Sequence, residues 1–173
     1  MDYIWARRFL YVFLFWLMYS PQVAAVSEPE LSVWTNQVIV EAYTLSADNV
    51  LNRQKDIAKY FTSAAWIEYT KALQASKLND SILKNNYTVS AVALLPPAIK
   101  VLKEDTEWQA TMPLLVLYKN KDYQQKQTLE VSITFTKAKT GEGVRGLAVT
   151  SFTATVGQSP CRCEHRNPTH LFV

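Results

Sequence analysis

The stretch Thr128-Leu-Glu-Val-Ser-Ile-Thr-Phe-Thr136 decides the fold. Leu129, Val131, Ile133 and Phe135 alternate with Thr128, Glu130, Ser132, Thr134 and Thr136. Successive side chains of a strand point to opposite faces, so these nine residues predict a strand with one apolar and one polar face. A strand wet on one side belongs to an antiparallel sheet covered on the other. Downstream, the Thr140-Gly-Glu-Gly143 loop leads to Leu147–Val156, which closes the sheet. Upstream, across the turn Lys119-Asn-Lys-Asp122, Trp108–Tyr118 is the longest strand candidate. Pro113 within it cannot donate to a ladder, which predicts an edge position or a bulge. Tyr87–Leu95 alternates in the same way until Pro96-Pro97 removes two donors and bends the chain. Ala98–Lys103 then resumes as an edge strand, and Glu104-Asp105-Thr106 turns.

Before Asn85-Asn86 the period is helical. Trp34, Val38, Ala42 and Leu45 recur on one face of a first helix, with Ser32 or Thr35 as its cap and Asp48-Asn49 at its end. Lys55–Tyr60 is a short helical segment. Thr62 or Ser63 caps a long helix over Ala64–Ser76, with Trp66, Tyr69 and Leu73 on one face, and Asn79-Asp80-Ser81 caps a last turn through Lys84. Helices followed by antiparallel strands form an α+β domain with the helices on one face of a sheet of about four strands.

The ends of the 173-residue chain read differently from its middle. Arg7-Arg8, the apolar run Phe9–Tyr19 and small residues up to Val26 follow the layout of a secretory signal peptide cleaved after Ala25. The alternative is an uncleaved signal-anchor, although the run is about half the length that crosses a membrane. The reading divides the chain into a signal at residues 1–25, a tether at 26–33, one domain at 34–156 and a flexible tail at 157–173.

Composition removes several functions. Lys and Arg number 18 against 15 Asp and Glu and are scattered, whereas a nucleic-acid binder carries a basic stripe. Both histidines, His165 and His170, lie in the tail, so a catalytic triad in the domain lacks its usual base. Four glycines leave little room for a phosphate-cradling loop, and no pair of carboxylates is apparent. Glu130 on its polar face reads as a solvated residue. Cys161, Cys163, His165 and His170 are the ligand types of a zinc site, but the Cys-Arg-Cys spacing fits tetrahedral coordination poorly and Pro168 stiffens the return. They are weak metal candidates. A Cys161–Cys163 disulfide would close a tight ring. Trp34 and Trp66, at helical spacing, read as core residues rather than as walls of a ligand cavity. No cofactor and no enzymatic activity are expected.

Several strings, in order, resemble the DotI/IcmL proteins of bacterial type IVB secretion systems, which are related to a conjugation protein of plasmid transfer. They are Trp34-Thr-Asn36-Gln37, Glu41-Ala-Tyr43-Thr44, Tyr60-Phe61-Thr62 with Trp66, Val89–Ala93, Met112-Pro113-Leu-Leu-Val116 with Tyr118, and Arg145-Gly146-Leu-Ala-Val149. The resemblance spans Trp34 to Phe152. It implies a curved sheet with helices on its concave face, similar to the nuclear-transport-factor-like cone. It also implies a periplasmic structural subunit without catalysis that contacts itself or other secretion subunits. The short N-terminus and the Cys/His tail depart from the family and suggest a paralogue free in the periplasm, or held at the inner membrane if the N-terminal segment is uncleaved. The alternative function is a soluble periplasmic protein of the same cone fold that holds a small apolar ligand. An isomerase-like enzyme ranks last, because the inward face of Leu129, Val131, Ile133 and Phe135 offers no polar groups.

Overall fold

The computed structural model describes residues 27–157 of the chain. Helix α1 spans Glu28–Ala42, strand β1 Leu45–Ser46, α2 Val50–Ala58, α3 Ser63–Ala75 and α4 Leu78–Asn85. Strands β2 (Thr88–Ala93), β3 (Ala98–Lys103), β4 (Glu107–Lys119), β5 (Gln124–Lys137) and β6 (Leu147–Val156) follow. The α+β class holds, with six strands rather than about four. The order is β1-β2-β4-β5-β6, with β3 also on β4, and every pairing between these strands is antiparallel. Register shifts at Val101/Lys103 and at Thr134/Phe135 interrupt the ladder, and such bulges increase twist and bend a sheet.

The predicted apolar face of β5 is buried as expected: Val131, Ile133 and Phe135 are fully covered and Leu129 nearly so. Trp108, Ala110, Met112, Leu114 and Val116 on β4 continue that face. The helices pack on it. Trp34 of α1 lies 5.0 Å from Phe135, centroid to centroid, and Phe135 stacks on Trp108 at 5.6 Å. Phe61, Trp66, Tyr69 and Phe152 form a second aromatic group that fastens α3 to β6, with Phe61–Tyr69 at 5.0 Å and Tyr69–Phe152 at 5.1 Å. Backbone bonds from Thr62 N to Val149 O and from Val149 N to Tyr60 O tie the α2–α3 connection to the start of β6.

Four expectations are corrected. Residues 28–33 are the first turns of α1 rather than a tether. Pro29 sits in the first turn, where helical N–H groups have no partner anyway, and Ser27 N–H donates to Glu30 Oε2 at 3.0 Å. A Ser followed three residues later by Glu is a helix-start signal that apolar spacing from Trp34 overlooks. Leu45 belongs to β1, paired with Val89, because the chain leaves the helix at Tyr43 and turns where Asn49 Oδ1 accepts from Ser46 N at 2.7 Å. Lys77, in the left-handed region, rather than Asn79, Asp80 or Ser81, precedes α4. Finally β4 is central. Its residues 107–111 pair with β3 and 114–119 with β2, so Pro113 falls in the notch between the two partners. Its carbonyl there accepts from Leu94 N at 2.9 Å, and its missing N–H faces the Leu94–Pro97 connection rather than a ladder partner. The signal or signal-anchor segment and the tail beyond Gly157 lie outside the described residues.

Candidate functional site

The quoted strings occupy the joints of this architecture. Trp34 is buried and its indole Nε1 donates to Val144 O at 3.0 Å, pinning the β5–β6 connection to α1. Arg145 and Gly146 in that connection have φ +54° and +75°, the left-handed pair that a two-residue hairpin turn of mirror type requires. Gly143 just before it is held close: a Cβ there would sit 2.2 Å from Leu147 O. Asn36 Nδ2 contacts Met112 Sδ at 3.8 Å, joining α1 to the centre of β4. Tyr60 packs edge-on against Trp34 at 6.1 Å, and burial raises its phenol pKa. Phe61 and Trp66 belong to the second aromatic group, with Trp66 half-buried rather than in the deep core. Tyr43 and Tyr118 do something else.

They face a cavity of about 570 Å³ between the C-terminal end of α1, helices α2, α3 and α4, and the strands β4–β6. This volume falls within the range of small-molecule sites, about 300–1,000 Å³. Leu45, Val50, Ile57, Leu73, Leu129 and Phe152 supply apolar wall. Polar groups enter it as well. Tyr43, Tyr69 and Tyr118 all line it, and burial raises the pKa of each, that of Tyr69 to about 12. For Tyr43 the neighbouring phenols Tyr69 and Tyr118 add to the effect of burial. All three are therefore neutral O–H groups at physiological pH. Asn79 Oδ1 on the α4 side is fully covered and has no hydrogen-bond partner among the described residues. Arg53 of α2 is the one charged residue in the wall, its Nε–H held by Thr44 O at 3.0 Å. The Leu129-to-Phe135 face gives no hint of these groups. They come from helix ends and from the far ends of β4 and β6, and the recurrence of Tyr43, Tyr69 and Tyr118 was the available signal.

A second feature lies on the surface. Val33 and Asn36 of α1, with Leu94, Leu95, Pro96 and Pro97 between β2 and β3, line a groove of about 420 Å³ that includes no charged residue. Val33 is 60% exposed and Leu95 61%. Val92, Val101 and Leu102 on the adjoining strands are also exposed. The adjacent prolines account for part of this: without N–H groups they end the β2 ladder and leave the connection to project. The candidate metal or disulfide residues Cys161, Cys163, His165 and His170 lie outside the described residues. Among the described residues no helix is long and apolar enough to cross a membrane.

Comparison with known proteins agrees with this architecture. Residues 16–156 match the DotI/IcmL family model, described as an inner-membrane complex component of the type IVb secretion system. An IcmL-like type IV secretion system protein from Legionella pneumophila is 47% identical, with a TM-score of 0.77 over 81% of this chain and 100% of the other. The periplasmic domain of DotI is 25% identical, with a TM-score of 0.73 over 78% of this chain and 99% of that one. A nuclear transport factor 2-like protein from Salmonella enterica, 12% identical over 80% and 99% of the two chains, shares the fold at a TM-score of 0.51. No curated protein sequence matches the chain.

Proposed function

The chain belongs to the DotI/IcmL family of type IVb secretion system inner-membrane complex components, and from that premise we propose that it is a non-enzymatic scaffold subunit acting in the periplasm. Its α1/β2–β3 groove docks another secretion subunit. The observation that carries this reading is the groove. An uncharged lining with Val33 and Leu95 more than half exposed suits an apolar partner segment and has no evident use in an isolated domain. Val33 lies in the second turn of α1, facing the β2–β3 connection across the groove.

The test is isolation of the protein from solubilised cell envelopes, followed by identification of what accompanies it. Other subunits of the secretion system are expected, and their absence overturns the scaffold role. N-terminal sequencing of the same material decides the anchoring. A start at Val26 in the soluble periplasm means a cleaved signal, and an intact Met1 in membranes means a signal-anchor.

A further inference from the structure

The cavity under the sheet is not needed for docking at the groove, and its wall has a chemistry of its own. It is lined by aliphatic and aromatic side chains, three neutral phenols, the uncharged polar residues Gln54, Ser76, Asn79, Gln127 and Thr153, and Arg53, with no Asp or Glu. A space of this composition favours a negative head group and an apolar body and disfavours cations. We propose that the cavity is a binding site for a single-chain anionic amphiphile, with its acidic head at Arg53 and its chain along Leu45, Ile57, Leu129 and Phe152. This is a second function, independent of the scaffold reading, and it revises the expectation of a purely apolar ligand.

Two observations converge on it. First, Arg53 is positioned. The bond from its Nε to Thr44 O fixes the guanidinium at the junction of α1 and α2, and among the described residues no carboxylate pairs with it. Asp56 on the same helix bonds Lys59 at 2.7 Å, and Arg53 interacts with it only through space. A planar guanidinium with its Nη groups left over is the usual partner of a carboxylate or phosphate. Second, Tyr43, Tyr69 and Tyr118 line the cavity, and their hydroxyls are not among the fully covered unpaired atoms, so they are open to a polar group that enters it. The α3 wall is open at Ala72, which lines the cavity and is exposed to solvent, so a chain can enter there.

Free fatty acids and lysophospholipids share this chemistry, and the titration separates them. Native protein is titrated calorimetrically with decanoate, decanol, decyltrimethylammonium and a decanoyl lysophospholipid, each below its micelle concentration. One site is expected for decanoate, with decanol weaker and the cation not bound. Preference for decanoate over the lysophospholipid assigns the site to free acids, and the reverse assigns it to membrane lipids. Arg53→Gln lowers decanoate affinity by roughly tenfold or more and leaves decanol unchanged, as loss of one charge-assisted bond requires. Ala72→Trp, on an exposed helix position, abolishes binding of both without changing the unfolding temperature of the ligand-free protein. Failure of decanoate to bind overturns the proposal. So does equal binding of the cation, or decanoate binding that neither variant changes. None of these outcomes touches the groove.

Discussion

The Trp34 indole joins three parts of the molecule: it packs on Phe135 in the sheet, meets Tyr60 edge-on and holds Val144 O in the β5–β6 connection. Its place in the core was legible from helical spacing, but the bond to a carbonyl 110 residues away was not, since spacing carries no information about distant loops. The neighbouring Thr35 is the converse case. It is fully buried, and its Oγ1 has no hydrogen-bond partner among the described residues. Thr35→Val keeps the shape and removes an unmet polar group, so it is expected to raise stability by about 1 kcal/mol in denaturant unfolding. The phenols of the cavity set an alkaline limit. The Tyr69 pKa is raised from 10.0 to about 12, so the unfolded chain loses this proton first and the native state holds it longer. The contribution is fully present below pH 10 and is lost as pH rises toward 12. Unfolding free energy is therefore expected to fall over that window, and less steeply in Tyr69→Phe.

At the scale of elements, β4 and β5 could be read almost residue for residue, because alternate side chains of each are buried against the helices, whereas β6 is buried on both faces at Leu147–Val149 and mostly exposed beyond. Ends set by polar pairs were harder. The start of α1 depends on Ser27 and Glu30, and the end of the same helix on the turn closed by Asn49. Pro113 gave the right signal and the wrong place: a missing donor needs a gap in the ladder, and the division of β4 between β3 and β2 supplies one inside the sheet. The α1 correction has a direct check. Leu31 is 4% exposed in the first turns of that helix. Leu31→Ala is expected to cost about 2–4 kcal/mol by chemical denaturation, as removal of a core side chain does, whereas a tether residue would cost almost nothing.

The described residues form a helix-covered curved sheet with a cavity on the helix side and a separate surface groove. The cover was predictable from the order of helices and strands and from the Leu129-to-Phe135 face. The cavity was not, because Tyr43, Arg53, Tyr69, Asn79 and Tyr118 lie on five different elements or their ends, and only the folded chain brings them to one wall. The groove was half visible: Pro96-Pro97 predicted the break in the ladder, but not that Val33 of the presumed tether would complete the lining. The proposed scaffold role assigns that groove to another secretion subunit. The most direct measurement is site-specific photo-crosslinking in living cells, with the photoreactive residue placed at Leu95 in the groove or at Glu130 on the solvent face of β5. Crosslinks from Leu95 to another secretion subunit, and none from Glu130, are the predicted result. No crosslink from Leu95, or the same products from both positions, contradicts the claim that this groove is the docking surface.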